Sequence, residues 1–358
     1  MSDNLCLSKN DCNILNQLGI PVIDENRNYW FLRTQGGTYF DDFFFGNYIA
    51  IEWEEINDIE LIKDTSKSEE LKKLVLEKYP DCKQPGSAVA NLQKFVISFK
   101  KGDIVIIPNE QSKILAFGEI LSDEVYLYEQ DPFEAFLSGD EDSGKTLLSK
   151  RRDVKWIKYV KRTDLDPYLY KIIYSHNTIV DANPYQSFID RTLYQFYIKN
   201  NSAHLTYKVH KKTNIPYADM LSFLNTYNHL IDYLNNNYHE LNLDINDIIL
   251  KINVQSKGPI EFKGAVKKML ILGLVGSLLF GGSVSINIKE GIDISTEGLP
   301  GLLNSIGTFI DGLKSNEGDE ELKKLQQEID TLKNNLQLEA PSVSYSQTIQ
   351  TENEINPI

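Results

Sequence analysis

Cysteine is scarce in this chain. Cys6, Cys12 and Cys82 are odd in number, with no Cys-x-x-Cys spacing and no neighbouring histidine pair, so neither a disulfide framework nor a zinc site is indicated. The five histidines, His176, His204, His210, His229 and His239, show no metal-ligand spacing. No metal and no cofactor is therefore expected. Long apolar runs are also missing: the longest, Met269 to Phe280, is twelve residues, below the eighteen or so that argue for a membrane span. Positive charge is in deficit, at a formal net charge of -14, which opposes non-specific adhesion of the whole molecule to nucleic acid or anionic lipid. The opening Met-Ser-Asp-Asn-Leu-Cys lacks the basic and apolar regions of a secretory signal, so a cytoplasmic location is expected.

What is present suffices for buried cores: 41% of the 358 residues are hydrophobic and 25% charged, a balance suited to two domains and a tail. Residues 29–33 and 48–53 are rich in β-formers and are separated by Gly36-Gly37 and one helical turn at 41–45. Residues 66–78 and 89–99 read as helices. Lys101-Gly102-Asp103 is a tight turn leading into the buried strand Ile104-Val105-Ile106-Ile107, and 114–120 and 154–160 are further strands. Short strands interrupted by two helices predict a small mixed β-barrel.

The second half changes character. Residues 185–198 and 217–238 read as helices, 204–209 and 248–254 as strands, and 284–294 as a hairpin. Leu299 to Leu313 is amphipathic. Leu322, Leu325, Ile329, Leu332 and Leu336 form the seam of a short coiled coil, which predicts either homo-oligomerisation or a fold-back onto the same chain. The expected organisation is α+β: a recognition domain over 1–183, an α/β effector or interaction domain over 184–314, a coiled-coil helix over 315–338 and a disordered tail over 339–358.

Trp30 with Arg33, Gly36-Gly37-Thr38-Tyr39, Ile49-Ala50-Ile51-Glu52-Trp53, Lys101-Gly102-Asp103, Gly118-Glu119-Ile120 and Arg151-Arg152-Asp153-Val154-Lys155-Trp156 occur in order along the first half. In that order they resemble the PUA/EVE-like domains, including those heading modification-dependent restriction and antiphage proteins. The resemblance implies a reader of nucleic acid, with a modified base held in an aromatic pocket, in a bacterial defence system. Read physically, Trp30, Tyr39, Trp53 and Trp156 supply flat walls, and Arg33 and Asp103 supply polar edges. The opposing reading of each tryptophan is core packing. Residues 145–162 carry eight cations against one acid, Asp153; Lys150, Arg151, Arg152, Lys155 and Lys158 are the candidate phosphate contacts, against the reading of a merely solvated strand.

Other chemistries stay open at this point. Asp247 followed by Glu261-Phe262-Lys263 has the D…E-x-K spacing of a Mg²⁺-dependent nuclease of the restriction-endonuclease type. The apolar segment 269–286, flanked by Lys263, Lys267 and Lys268, suits a buried helix or a membrane-acting effector. Gly139 with Ser143-Gly144-Lys145-Thr146 imitates a P-loop, but Asp140, Glu141 and Asp142 between them would repel phosphate.

Overall fold

The computed structural model describes residues 7–129, 146–237, 243–252, 258–282, 284, 298–315 and 319–341. The chain divides into two units: Asn26–Leu193, and Met1–Glu25 together with Tyr194–Ile358. The sequence boundary at 183/184 thus moves ten residues on, and the first 25 residues leave the recognition domain for the other unit. The reason lies in packing. Ile14, Leu15, Leu18 and Ile20, on and after the helix Lys9–Gln17, are buried in the second unit's core.

The first unit is built on a seven-stranded sheet, counted among the described residues. Its strands are β1 (Tyr29–Leu32), β2 (Tyr48–Ile51), β3 (Ile104–Pro108), β4 (Ile114–Ile120), β5 (Tyr126–Leu127), β6 (Lys150–Lys161) and β7 (Ile179–Asp181). The order is β2-β6-β4-β3-β1-β7, with β5 paired to β6; β1 and β3 run parallel and the remaining pairs antiparallel. The sheet curls into a half-barrel. The small mixed β-barrel expected from the sequence is thus met as a mixed, curled sheet whose order ends at β2 and β7.

Strand alternation makes this sheet two-faced. Trp30 and Leu32 of β1 join Val105, Ile107, Ala116 and Val154 in one core with the helices Ile59–Lys63, Ser68–Lys78 and Pro85–Gln93. Tyr29 and Phe31 face the other way, and the Tyr29 hydroxyl donates to Asp190 Oδ1 of the helix Gln186–Leu193 at 2.5 Å. Asp103 fastens the turn before β3, accepting from the Asn28 and Lys100 backbone N–H groups at 3.0 Å each.

The second unit has a five-stranded sheet among the described residues, with β8 (Phe196–Lys199), β9 (Ser202–Val209), β10 (Ile249–Ile252), β11 (Gly258–Ala265) and β12 (Leu338–Glu339). The helix expected over 185–198 stops at Leu193, and Phe196–Lys199 pairs with β9 across Asn200-Asn201. Both asparagines have φ near +50°, the left-handed pair that a two-residue hairpin requires.

The helix Val266–Leu279 is apolar all round and packed inside this unit rather than in lipid. A Cβ at Gly276 would stand 2.8 Å from the Tyr207 hydroxyl, so the glycine permits that approach. Among the described residues no helix is long and apolar enough to cross a membrane. Of the two readings of the apolar stripe, the fold-back is the one seen: Leu325, Ile329, Leu332 and Leu336 of the helix Glu320–Leu336 are buried in the same unit's core. Most of the hairpin over 284–294, the loop at 138–144 and the tail beyond Pro341 lie outside the described residues.

Candidate ligand site at the end of strand β2

The aromatic residues singled out in the sequence separate into three places. Trp30 is core: its indole N–H donates to Asp103 Oδ2 at 2.9 Å, and its ring stacks on Phe99 at 4.7 Å. Asp103 is buried and already accepts from four donors, so neither residue lines a ligand surface. Arg33 donates to the carbonyls of Ser175 at 2.8 Å and Ile173 at 3.1 Å, holding the exit of the helix Tyr170–Ile173. Trp156 is half-buried and donates to the Phe43 carbonyl at 3.1 Å. Tyr39 is buried in the same core as Trp30 and stacks on Phe43 at 5.9 Å. Trp53 remains, next to a residue that the sequence reading passed over, Glu52.

Strand β2 ends at Ile51, and the chain bends at Glu52. Trp53 then takes φ +75°, a left-handed conformation costing a bulky residue about 1–3 kcal/mol unless its surroundings hold it. Three ties do so. Lys150 Nζ donates to the Trp53 carbonyl at 2.9 Å and to Asn57 Oδ1 at 3.1 Å. The Glu55 N–H donates to the Tyr79 hydroxyl at 2.9 Å. Glu54 accepts from the Ser149 N–H at 3.0 Å and from its hydroxyl. The Trp53 ring stands edge-on to Tyr79 at 4.9 Å, and both are half-buried.

Glu52 is half-buried, and among the described residues no hydrogen bond or ion pair reaches its carboxylate. Burial raises its pKa above the ordinary value, and the neighbouring Glu54 charge raises it further. Burial also raises the hydroxyl pKa of Tyr39 and of Tyr79, and the Glu52 charge adds to both. Tyr39 is oriented by donating to the Thr146 carbonyl at 3.1 Å. A half-buried carboxyl without a partner among the described residues, next to Trp53 in a strained turn whose indole meets Tyr79, can take a flat ligand edge-on.

The expected cationic face is not assembled. Lys150 and Arg152 are fully buried and Arg151 is 7% exposed. Arg152 donates to the carbonyls of Phe95 at 3.0 Å, Val96 at 2.8 Å and Ser122 at 3.0 Å, and burial brings its pKa down to about 10. The Arg151 guanidinium lies between the rings of Tyr48, at 3.9 Å, and Tyr128, at 3.7 Å. Lys158 donates to the Thr192 carbonyl at 2.8 Å. Of the five named cations only Lys155 is exposed. The sequence could not reveal this, because the partner carbonyls come from segments 30 or more residues away.

The nuclease constellation does not converge either. Glu261 is buried on β11 with His204 Nδ1 at 2.7 Å, while the Asp247 carboxylate meets Lys268 Nζ at 2.6 Å. Glu261 pairs with Lys251 within the sheet, whereas Asp247 lies outside β10, in the turn Ile245–Asp247 that precedes it. No group of three His, Cys, Asp or Glu placed to hold a metal occurs among the described residues.

Residues 31–183 match the model of a family described as Domain of unknown function (DUF8426). No curated protein matches the chain, and no solved structure does.

Proposed function

We propose that the Asn26–Leu193 unit reads a nucleobase, natural or modified, carried by a nucleic acid. The second unit then acts as the effector or interaction module of a bacterial antiphage or restriction-type defence system. Its setting is the cytoplasm. The observation that carries this reading is Glu52, half-buried and without a partner among the described residues, next to the half-buried Trp53, whose ring stands edge-on to Tyr79 at 4.9 Å. A base offers two flat faces for the rings, and on its edge an amino or ring N–H for a carboxylate, or an acceptor for the acid form. The ordered motifs resembling PUA/EVE-like domains support the defence context. The sealed Lys150, Arg151 and Arg152 make specificity a matter of stacking and edge contacts more than of phosphate attraction.

The test is equilibrium binding of the full chain to DNA and RNA oligonucleotides bearing natural and modified bases. Trp53→Ala should weaken the preferred oligonucleotide by about 1–3 kcal/mol, the worth of one base–aromatic stack. Glu52→Gln should reduce discrimination between bases. Parent-like affinities in both folded variants would sink the proposal.

A further inference from the structure

The helix Phe40–Gly46 carries a second set of rings. Phe44 stands among four others: Phe40 stacked at 5.6 Å, Phe45 edge-on at 5.4 Å, Trp156 tilted at 5.7 Å and Tyr159 edge-on at 6.4 Å. Phe45 is 65% and Tyr159 54% exposed, so two rings of this cluster face solvent. Scattered surface aromatics need no explanation, but rings in mutual contact form a patch.

The fold builds this patch with a β-bulge. Gly118 pairs with Trp156 and Phe117 with Lys158, so Ile157 is inserted between them. The extra residue shifts the alternation of β6, so that Tyr159 rather than Lys158 follows Trp156 onto the face carrying Phe44. A Cβ at Gly118 would lie 2.6 Å from the Trp156 ring, so the bulge and the glycine together seat that indole.

Cations continue the same strand. Lys161, two residues beyond Tyr159, is exposed, and its cross-strand partner Ile114 follows the exposed Lys113. Arg162 comes next, its Nη2 donating at 2.6 Å to the hydroxyl of Tyr174, a ring 63% exposed. Asp41 is the helix's own exposed acid, next to Phe40. Exposed rings followed by cations match the demands of a single-stranded nucleic acid, whose bases stack and whose phosphates need positive charge.

We propose that Phe44, Phe45 and Tyr159 form a stacking platform for the bases of a single strand, with Lys161, Lys113 and Arg162 taking its phosphates. This rests on the reading of the Glu52 site as a base reader and adds the nucleotides that flank the base read there.

The test compares the full chain with a Phe45→Ser/Tyr159→Ser double variant, using a labelled single strand, the matching duplex and the isolated nucleoside. Both substitutions are at exposed rings, so thermal unfolding serves as a control for folding. About tenfold or greater weakening for the single strand, with nucleoside binding unchanged, supports the platform. Unchanged single-strand affinity overturns it. So does an equal loss for duplex and single strand, or a change in oligomeric state by light scattering, which would assign the rings to self-association. Glu52→Gln separates the two readings: failure of the base reader shows as nucleoside binding that this variant leaves intact, whatever the double variant does to the strand.

Discussion

Lys150 Nζ donates to the carbonyl of Trp53 at 2.9 Å, and the lysine is fully buried. The cation that in the sequence headed a phosphate-binding run instead holds the strained turn on which the candidate site stands. Burial lowers its pKa, against the opposing pull of Glu54. Lys150→Met should leave the Trp53 carbonyl and Asn57 without this donor and cost about 1–3 kcal/mol. It should also loosen Trp53, seen as increased collisional quenching of tryptophan fluorescence. Unchanged quenching and stability would mean that the turn holds itself.

The basic run should divide sharply under substitution. Arg152→Met orphans three buried carbonyls and should destabilise the chain by roughly 2–4 kcal/mol, whereas Lys155→Ala at an exposed position should stay within about 0.5 kcal/mol. Urea unfolding of both variants checks this. Comparable small effects would return Arg152 to the surface.

Glu52 gives a pH dependence with a definite sign. Its folded pKa is raised, so between the ordinary glutamate value of about 4.3 and that raised value the folded state holds more protons than the unfolded one. Stability attributable to Glu52 therefore falls as pH rises through that window and stays low above it. Glu52→Gln removes the fall, so its melting temperature should gain on the parent from pH 4 to pH 7. A gap independent of pH would contradict the placement of this carboxyl.

Ile329 sits on the helical stripe first read as a coiled-coil seam and is fully buried in its own unit. Ile329→Ala should cost about 2–5 kcal/mol through the cavity it leaves, with molar mass by light scattering unchanged. A fall in mass would restore the seam to an interface between chains.

Much of the architecture was legible locally. The β-former-rich and apolar runs and the Lys101-Gly102-Asp103 turn marked β1, β3, β4 and β6, and the apolar run from Met269 was readable as a buried helix. The missed hairpin at Phe196 had a local signal, Asn200-Asn201, masked by apolar residues that suited a helix equally well. The placement of the helix Lys9–Gln17 had none, because its partners lie nearly two hundred residues on. At the site, Trp53 was legible as an aromatic at a strand end. Trp30 and Asp103 were not separable from it until their mutual hydrogen bond appeared. Glu52 was hidden by its ordinariness, since only burial without a partner distinguishes it from other glutamates.

The most direct measurement is photo-crosslinking of the full chain to an oligonucleotide carrying a photoreactive base, with the adducts mapped by mass spectrometry. The account predicts adducts on Trp53 or Tyr79 that disappear when unlabelled oligonucleotide competes. Adducts confined to the unit containing Tyr194–Ile358, or spread over the surface without competition, would contradict it.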